Sequence, residues 1–392
     1  MDKLLRLLLL CLAVVATVGC NDDLPKATEI ARMRVLGAQL QVVGDEMRTT
    51  PRPGERVHLT MPTVFPKLDG NVDDVQSLLL RCTAPTQFTG GLPICQEFLD
   101  AALGDDAADV ATALDTAERF TCAVPLVFDS MGVTLACLTG EPDVELSIPE
   151  DFEADNALYL GVVCEDGAPF IDPTEPTLFG CDGDADAESI LVNGQIQILR
   201  EDAPANHNPP IEALSLEFDS DIKGYMRGEW LPPDEETELT DTQCERNADE
   251  ERLRDVVGGR HEIMVRWDPD AREELEDGTF ERVEITIFAT DGEMERRFTL
   301  FDEFDEPVAR LDADGDPILD DDDEPIDPVF EQPIDWDPPR WVPEDEWTDA
   351  ERESFEEKEI RPPFQNRLVR FFITVRDGRG GFAMTTRAIC VR

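Results

Sequence analysis

Short segments in which apolar and polar residues alternate with a period of two recur along this chain, and they constrain its fold more than any other feature. Successive side chains of a β-strand point to opposite faces, so this alternation indicates strands with one buried face. A chain with many such strands is expected to fold into antiparallel sheets packed face to face. The segments are Val57–Met61, Val144–Ile148, Leu158–Cys164, Ile190–Ile198, Ile263–Trp267, Val283–Ala289 and Phe371–Val375.

A proline-rich stretch divides this pattern into two halves. Residues 201–210 (EDAPANHNPP) contain three prolines and no periodicity, which is typical of a stiff linker. The sequence therefore predicts two β domains, residues 29–200 and residues 211–392. Apolar residues recur at helical spacing in an alanine-rich stretch of the first half, which predicts a short helical insert at about 95–120.

The N-terminus has the organisation of a secretory signal peptide. Lys3 and Arg6 precede an apolar run from Leu7 to Val18, which is too short to span a bilayer. We therefore expect residues 1–19 to be a cleaved secretory signal peptide, and the following motif bears on its type.

The run Thr17-Val18-Gly19-Cys20 resembles the bacterial lipobox. The resemblance implies cleavage before Cys20, a lipid on that cysteine, a tether over residues 20–28 and attachment to the membrane of the cell envelope. Asn21 is not the Asp that retains some lipoproteins at the inner membrane, so we expect the outer membrane. An ordinary cleaved signal with an incidental cysteine is the alternative.

The cysteines indicate an oxidising compartment. Eight remain after Cys11 and Cys20 are set aside, and eight cysteines allow about 105 connectivities. Their spacing favours local pairs, and there is no C-x-x-C motif of the kind that zinc sites use. The expected disulfides are Cys82–Cys95, Cys122–Cys137, Cys164–Cys181 and Cys244–Cys390.

The charge of the chain limits its partners. Eighty-eight acidic residues against 34 basic ones give a formal net charge of −54. Such a field repels phosphate backbones, so we expect no nucleic-acid partner.

A long acidic loop insert is expected in the second domain at about 301–362. Its aspartates offer the hard oxygen ligands that calcium prefers, although Pro317 and Asp323 depart from an EF-hand loop. A loose calcium site and a solvated acidic loop both remain open, and no other cofactor is expected. The candidate ligands are Asp312, Asp314, Asp316, Asp320, Asp322 and Asp323.

Three tryptophans of the same insert, Trp336, Trp341 and Trp347, lie close together among prolines and acids. Exposed aromatic side chains can stack on a ligand or pack against a partner. They can also pin a loop to its own domain, and the sequence leaves both roles open.

Three stretches resemble bacterial surface domains. Met33–Val43 followed by Pro53-Gly54-Glu55 is similar to the opening of immunoglobulin-like (Ig-like) domains of surface lipoproteins. Asn206–Ile211 resembles the start, and residues 371–384 the last hairpin, of PKD- or cadherin-like repeats. The resemblance implies a mainly β fold with two Ig-like antiparallel β-sandwich domains in tandem.

Enzyme signatures are missing from the sequence. It contains no G-x-S-x-G elbow, no phosphate-binding P-loop and no H-E-x-x-H motif, so we expect no catalytic residue. The expected function is that of a monomeric, lipid-anchored envelope protein whose domains act as a spacer or bind a protein or glycan. A carboxylate-based hydrolase of surface polysaccharide and a calcium-dependent adhesion-type protein are the alternatives.

Overall fold

The computed structural model shows a mainly β protein built from antiparallel sheets, as the alternation predicts. Its described helical elements are three 3₁₀ turns, Val72–Asp74, Ile211–Ala213 and Pro269–Ala271. The predicted helical insert lies outside the described residues except for Phe120. The structure describes residues 28, 30–66, 72–83, 120–122, 125–130, 133–172, 179–184, 187–200, 203–219, 261–275, 278–296, 298–302, 305–310, 317–319, 325–337 and 367–391.

The strands before the proline-rich stretch form what we call the first unit. Its main sheet has the order β13-β10-β5-β8-β7, and two three-stranded sheets have the orders β2-β3-β9 and β12-β11-β6. The short strands β1 and β4 pair with each other. The strands are β1 Arg34–Val35, β2 Gln39–Val42, β3 Arg56–Thr60, β4 Thr63–Val64, β5 Gln76–Thr83, β6 Phe120–Thr121, β7 Leu126–Ser130, β8 Val133–Thr139, β9 Asp143–Ser147, β10 Asn156–Cys164, β11 Pro169–Ile171, β12 Phe179–Cys181 and β13 Ser189–Gln197.

One face of the five-stranded sheet packs on the β2-β3-β9 sheet. Val57 and Leu59 of β3 and Leu146 of β9 meet Ala157 and Ile196 of the larger sheet in a single apolar cluster. The inward positions of β3, β9 and β13 are those that the alternation assigned to the core, whereas β10 contributes Ala157, from the face opposite the predicted one. This pair of sheets is therefore a β-sandwich.

The opposite face of the same sheet is also covered, which the sequence did not predict. Leu158 and Leu160 pack with Ile171 and Phe179 of the small β12-β11-β6 sheet. Strand β10 is consequently buried on both sides, and Tyr159, on the face opposite Leu158, is buried as well.

Two disulfides fasten this third layer to the central sheet. Cys122 bonds to Cys137 of β8, and Cys164 at the end of β10 bonds to Cys181 of β12. These are two of the pairs that the cysteine spacing favours. Each joins a segment of the small sheet to a strand that it covers.

The strands after the proline-rich stretch form the second unit, a sandwich of two four-stranded sheets. The sheets have the orders β14-β15-β19-β17 and β18-β16-β20-β21, and they enclose one apolar cluster. The glycine-rich turn at residues 378–381 joins β20 to β21, as predicted. The strands are β14 Leu214–Asp219, β15 His261–Trp267, β16 Val283–Ala289, β17 Glu293–Met294, β18 Thr299–Phe301, β19 Phe330–Asp337, β20 Arg367–Asp377 and β21 Phe382–Val391.

Strand β19 corrects the prediction of a continuous acidic loop at about 301–362. It pairs along its length with β15, and Phe330, Ile334 and Trp336 point into the core. The outward positions of β19 include Glu331 and Asp335. The strand therefore alternates with a period of two, but it is hard to distinguish from the acidic residues around it. The role of Trp336 as an exposed binding aromatic is wrong, because its side chain is fully buried.

Replacing Trp336 tests the placement of β19 in the core. Trp336→Ala removes a buried ring that packs edge-on against Phe371 at a centroid distance of 4.9 Å, and it should lower the free energy of unfolding by about 3–5 kcal/mol. Phe298→Ala, at a half-exposed ring, is the control and should cost less than about 1 kcal/mol. Chemical denaturation measures both, and equally small losses would contradict the placement.

Candidate functional site

Part of the predicted linker, with Asn206 and Asn208, is buried in a joint between the two units. Asn208 is almost fully buried and uses both ends of its side-chain amide. Its Nδ2 donates to the carbonyl oxygen of Leu40 at 2.8 Å, and its Oδ1 accepts from the backbone N–H of Phe382 at 3.0 Å. Leu40 belongs to β2 and Phe382 begins β21. One side chain therefore binds one strand of each unit.

Asn206 makes a second connection across the joint. Its backbone N–H donates to Thr50 Oγ1 at 3.1 Å, and its carbonyl accepts from the Thr49 N–H at 2.8 Å. Its side-chain Nδ2 donates to Asp377 Oδ2 at 3.1 Å. The backbone of Asn206 is thus held by the first unit and its side chain by the second.

Asp377 organises the hairpin tip that meets this segment. Its Oδ1 accepts from the backbone N–H groups of Arg379 at 2.8 Å and Gly381 at 2.7 Å. Burial raises the pKa of the Asp377 carboxyl, and the hydrogen bonds from Gly381, Arg379 and Asn206 oppose that rise. The Oδ1 of Asn206 is buried without a hydrogen-bond partner in the described part of the chain.

A charged cluster surrounds the hairpin tip. Arg379 Nε donates to Glu281 at 2.8 Å, its Nη2 contacts Glu273, and His207 Nδ1 lies 2.5 Å from the Oε1 of Glu273. Glu281 is buried, and this burial raises the pKa of its carboxyl while the hydrogen bond from Arg379 opposes the rise. The cluster therefore holds the tip to the segment that carries Glu273 and Glu281.

Apolar and backbone contacts extend the joint on another side. Ile30, Leu36 and Val64 of the first unit form a cluster with Phe372 of β20. The backbone N–H of Ile30 donates to the carbonyl of Ala289 at 2.9 Å, so the N-terminal segment pairs with β16. The two units are consequently joined by polar, ionic and apolar contacts together.

A cleft of about 390 Å³ lies at the joint, a volume within the range of ligand pockets. The first unit contributes side chains of β10 and β13, and the second contributes the glycine-rich hairpin tip. The polar side chains that line the cleft are Thr49, Thr50, Asn156, Gln195, Gln197 and Arg379.

Most of the sequence-predicted site residues lie outside the described residues. They include the lipidation site Cys20, two of the tryptophans and all six candidate calcium ligands. The other two proposed disulfides also lie outside, because Cys95 and Cys244 and the side chains of Cys82 and Cys390 are not described. The residues are Cys20, Trp341, Trp347, Asp312, Asp314, Asp316, Asp320, Asp322 and Asp323.

The described residues contain no cluster of three or more His, Cys, Asp or Glu side chains with metal-binding geometry. They also contain no helix that is long and apolar enough to cross a membrane.

Sequence reasoning missed the joint residues Asn208, Asp377 and Arg379. The stretches NHNPP and DGRGG signal a linker and a turn, and both signals are local. Only the fold brings Asn206 and Asp377 together across 171 positions of the chain.

No protein-family model matches the chain, and no curated protein is significantly similar to it. The C-terminal domain of the Streptococcus agalactiae AgI/II polypeptide BspA is one of the solved structures that match. The two share 8% sequence identity, and the match covers 90% of this chain and 99% of that chain with a TM-score of 0.15. So low a TM-score does not establish a common fold.

The hairpin glycines provide a matched pair of substitutions at the joint. A Cβ at Gly381 would lie 2.0 Å from Asp377 Oδ2 and 2.6 Å from the carbonyl oxygen of His207, whereas a Cβ at Gly378 meets nothing within 4 Å. Gly381→Ala should therefore lower the free energy of unfolding by about 1–3 kcal/mol. Gly378→Ala should change it by less than about 0.5 kcal/mol. Urea denaturation measures both, and a neutral Gly381→Ala would contradict the tight joint.

Substitutions at Asp377 separate its hydrogen bonds from its charge. Asp377→Ala leaves two backbone N–H groups without their acceptor and should cost about 1–3 kcal/mol. In Asp377→Asn the Oδ1 is kept, and the Asn206 amide can rotate so that its Oδ1 accepts from the new N–H₂, so this variant should stay within about 1 kcal/mol of the parent.

The stability of Asp377→Asn relative to the parent is predicted to depend on pH. A folded-state pKa above the ordinary value of 3.8 means that the folded chain binds the proton more tightly than the unfolded chain. The contribution of Asp377 is therefore most favourable at low pH and is lost as pH rises through the folded-state pKa. Asp377→Asn should gain stability relative to the parent between pH 4 and pH 8 in denaturation curves. A relative loss over that interval would contradict the assignment.

Proposed function

We propose that this chain is a non-catalytic, lipid-anchored protein of the cell envelope, whose two Ig-like units form one rigid, monomeric spacer. The observation that carries the proposal is the burial of the linker segment in a joint with complementary hydrogen bonds. In a flexible tether, the side-chain amide of Asn208 would form its hydrogen bonds with water. Here the same amide bonds to both units at normal hydrogen-bond distances.

The strand order of the second unit supports an Ig-like assignment. In Ig domains, strands D, E, B and A form one sheet and strands C, F and G form the other. The order β17-β19-β15-β14 corresponds to the first sheet, and β16-β20-β21 corresponds to the second. Strand β18 is an additional strand beside β16.

The carboxyl groups at the joint support a structural role rather than hydrolysis. A carboxylate-based hydrolase needs two accessible acids in a groove, one of them with a raised pKa. Asp377 and Glu281 both have a raised pKa, but their oxygens accept hydrogen bonds from within the chain. Neither of them lines the cleft.

Attachment to the membrane is proposed to depend on Cys20 and is tested by metabolic labelling with palmitate in a bacterial host. The parent chain should incorporate the label and sediment with the membrane fraction, and Cys20→Ser should do neither. Cys11→Ser is the control because that cysteine lies in the signal peptide, so its labelling should equal that of the parent. Equal labelling of Cys20→Ser would contradict the anchor.

The rigidity of the connection between the two units is tested by the distance between bio-orthogonal spin labels at Leu191 and Phe298. These are half-exposed positions in different units. The parent should give one narrow distance distribution. Asn208→Asp removes the donor to Leu40 and buries a negative charge against that carbonyl, so it should broaden the distribution.

Asn193→Asp adds the same charge at an exposed position of β13 and should leave the distribution unchanged. A broad distribution in the parent would contradict the spacer.

A further inference from the structure

The cleft at the joint carries three side-chain amides on one surface. Gln195 and Gln197 are two positions apart on β13 and so face the same side, and Asn156 of β10 lies directly opposite Gln197. Side chains directly opposite each other in an antiparallel pair are separated by about 4.5–5.5 Å at Cβ. None of the three amides forms a side-chain hydrogen bond within the described part of the chain. Their donors and acceptors are therefore available to a ligand.

The charge of the cleft differs from that of the chain as a whole. Among the described residues that line it, Arg379 is the one charged side chain, although the chain has a net charge of −54. Two of the nitrogens of Arg379 already bond to Glu281 and Glu273. The cleft is thus close to neutral, and the surrounding negative field disfavours an anionic polymer.

This chemistry matches a polyhydroxylated, uncharged ligand. A side-chain amide presents a donor and an acceptor next to each other, and adjacent sugar hydroxyls do the same. The polar wall of the cleft, with Thr49 and Thr50 beside the amides, fits such a ligand better than an apolar one.

We propose that the cleft between the two units binds a neutral oligosaccharide through Asn156, Gln195 and Gln197. The hairpin tip of the second unit closes the cleft, so the complete site exists only when the joint is formed. The site adds a ligand to the spacer role proposed above. It makes the joint a place of glycan recognition as well as a mechanical connection.

Isothermal titration calorimetry of the full mature chain tests the proposal with three probes: cellotetraose, maltotetraose and chitotetraose. At least one should bind with one-to-one stoichiometry. The double variant Gln195→Ala/Gln197→Ala should weaken that binding by about tenfold or more through loss of two hydrogen-bonding amides. Asn193→Ala removes an amide from the same strand and face outside the cleft, and it should bind as the parent does.

The sugar titration and the distance measurement together distinguish a failure of the sugar-binding site from a failure of the spacer role. The double variant should keep the narrow distance distribution between the spin labels, because its side chains form no part of the joint. The proposal is overturned if none of the three sugars binds at millimolar concentration, or if the double variant binds as tightly as the parent. Tighter binding of tetragalacturonate, or binding of an uncharged extended peptide in place of the sugars, also overturns it.

Discussion

The side-chain amide of Asn208 is the interaction on which the arrangement of the two units depends. Each unit has its own apolar core, and a smaller apolar cluster joins Ile30, Leu36 and Val64 of the first unit to Phe372 of the second. Beside the other contacts of the joint, Asn208 is a buried group whose donor and acceptor are satisfied from opposite units. Because an unpaired buried amide is costly, these two hydrogen bonds favour the orientation of the units in which both ends of the amide are paired.

Because the side-chain amide of Asn208 is uncharged, it joins two strongly acidic units without adding to their charge repulsion. With a net charge of −54, two acidic units repel each other, and a joint built from carboxylates would add to that repulsion. The carboxyl groups that do lie at the joint each have a donor. Asp377 accepts from two backbone N–H groups and from Asn206, and Glu281 accepts from Arg379. Burial raises the pKa of both groups, and the hydrogen bonds from their donors oppose that rise.

The alternation in the sequence was enough to predict strands such as β3 and β16, because it depends on neighbours within one segment. Val57 and Leu59 of β3 and Ile285 and Ile287 of β16 lie in the cores as that pattern requires. The alternation was not recognised at β19, because the outward positions of this core strand are acidic like the residues around it.

The joint could not be predicted from the sequence, because its contacts have no local signature. Asn208 contacts residues 168 positions before it and 174 positions after it. The prolines around it indicate a linker whether the segment is buried or free. The third layer of the first unit was missed for a similar reason, since the residues of β12 that cover β10 form only a short strand.

Amide hydrogen exchange at Phe382 tests most directly whether the linker stays in place between the two units. The N–H of Phe382 donates to Asn208 Oδ1, so its protection requires the linker to remain in place. If the joint is rigid, this N–H should exchange about as slowly as that of Ile373 in the core of the second unit. Exchange at the rate of the exposed turn residue Gly378 would mean that the linker leaves the joint freely, and the account of one rigid body would be wrong.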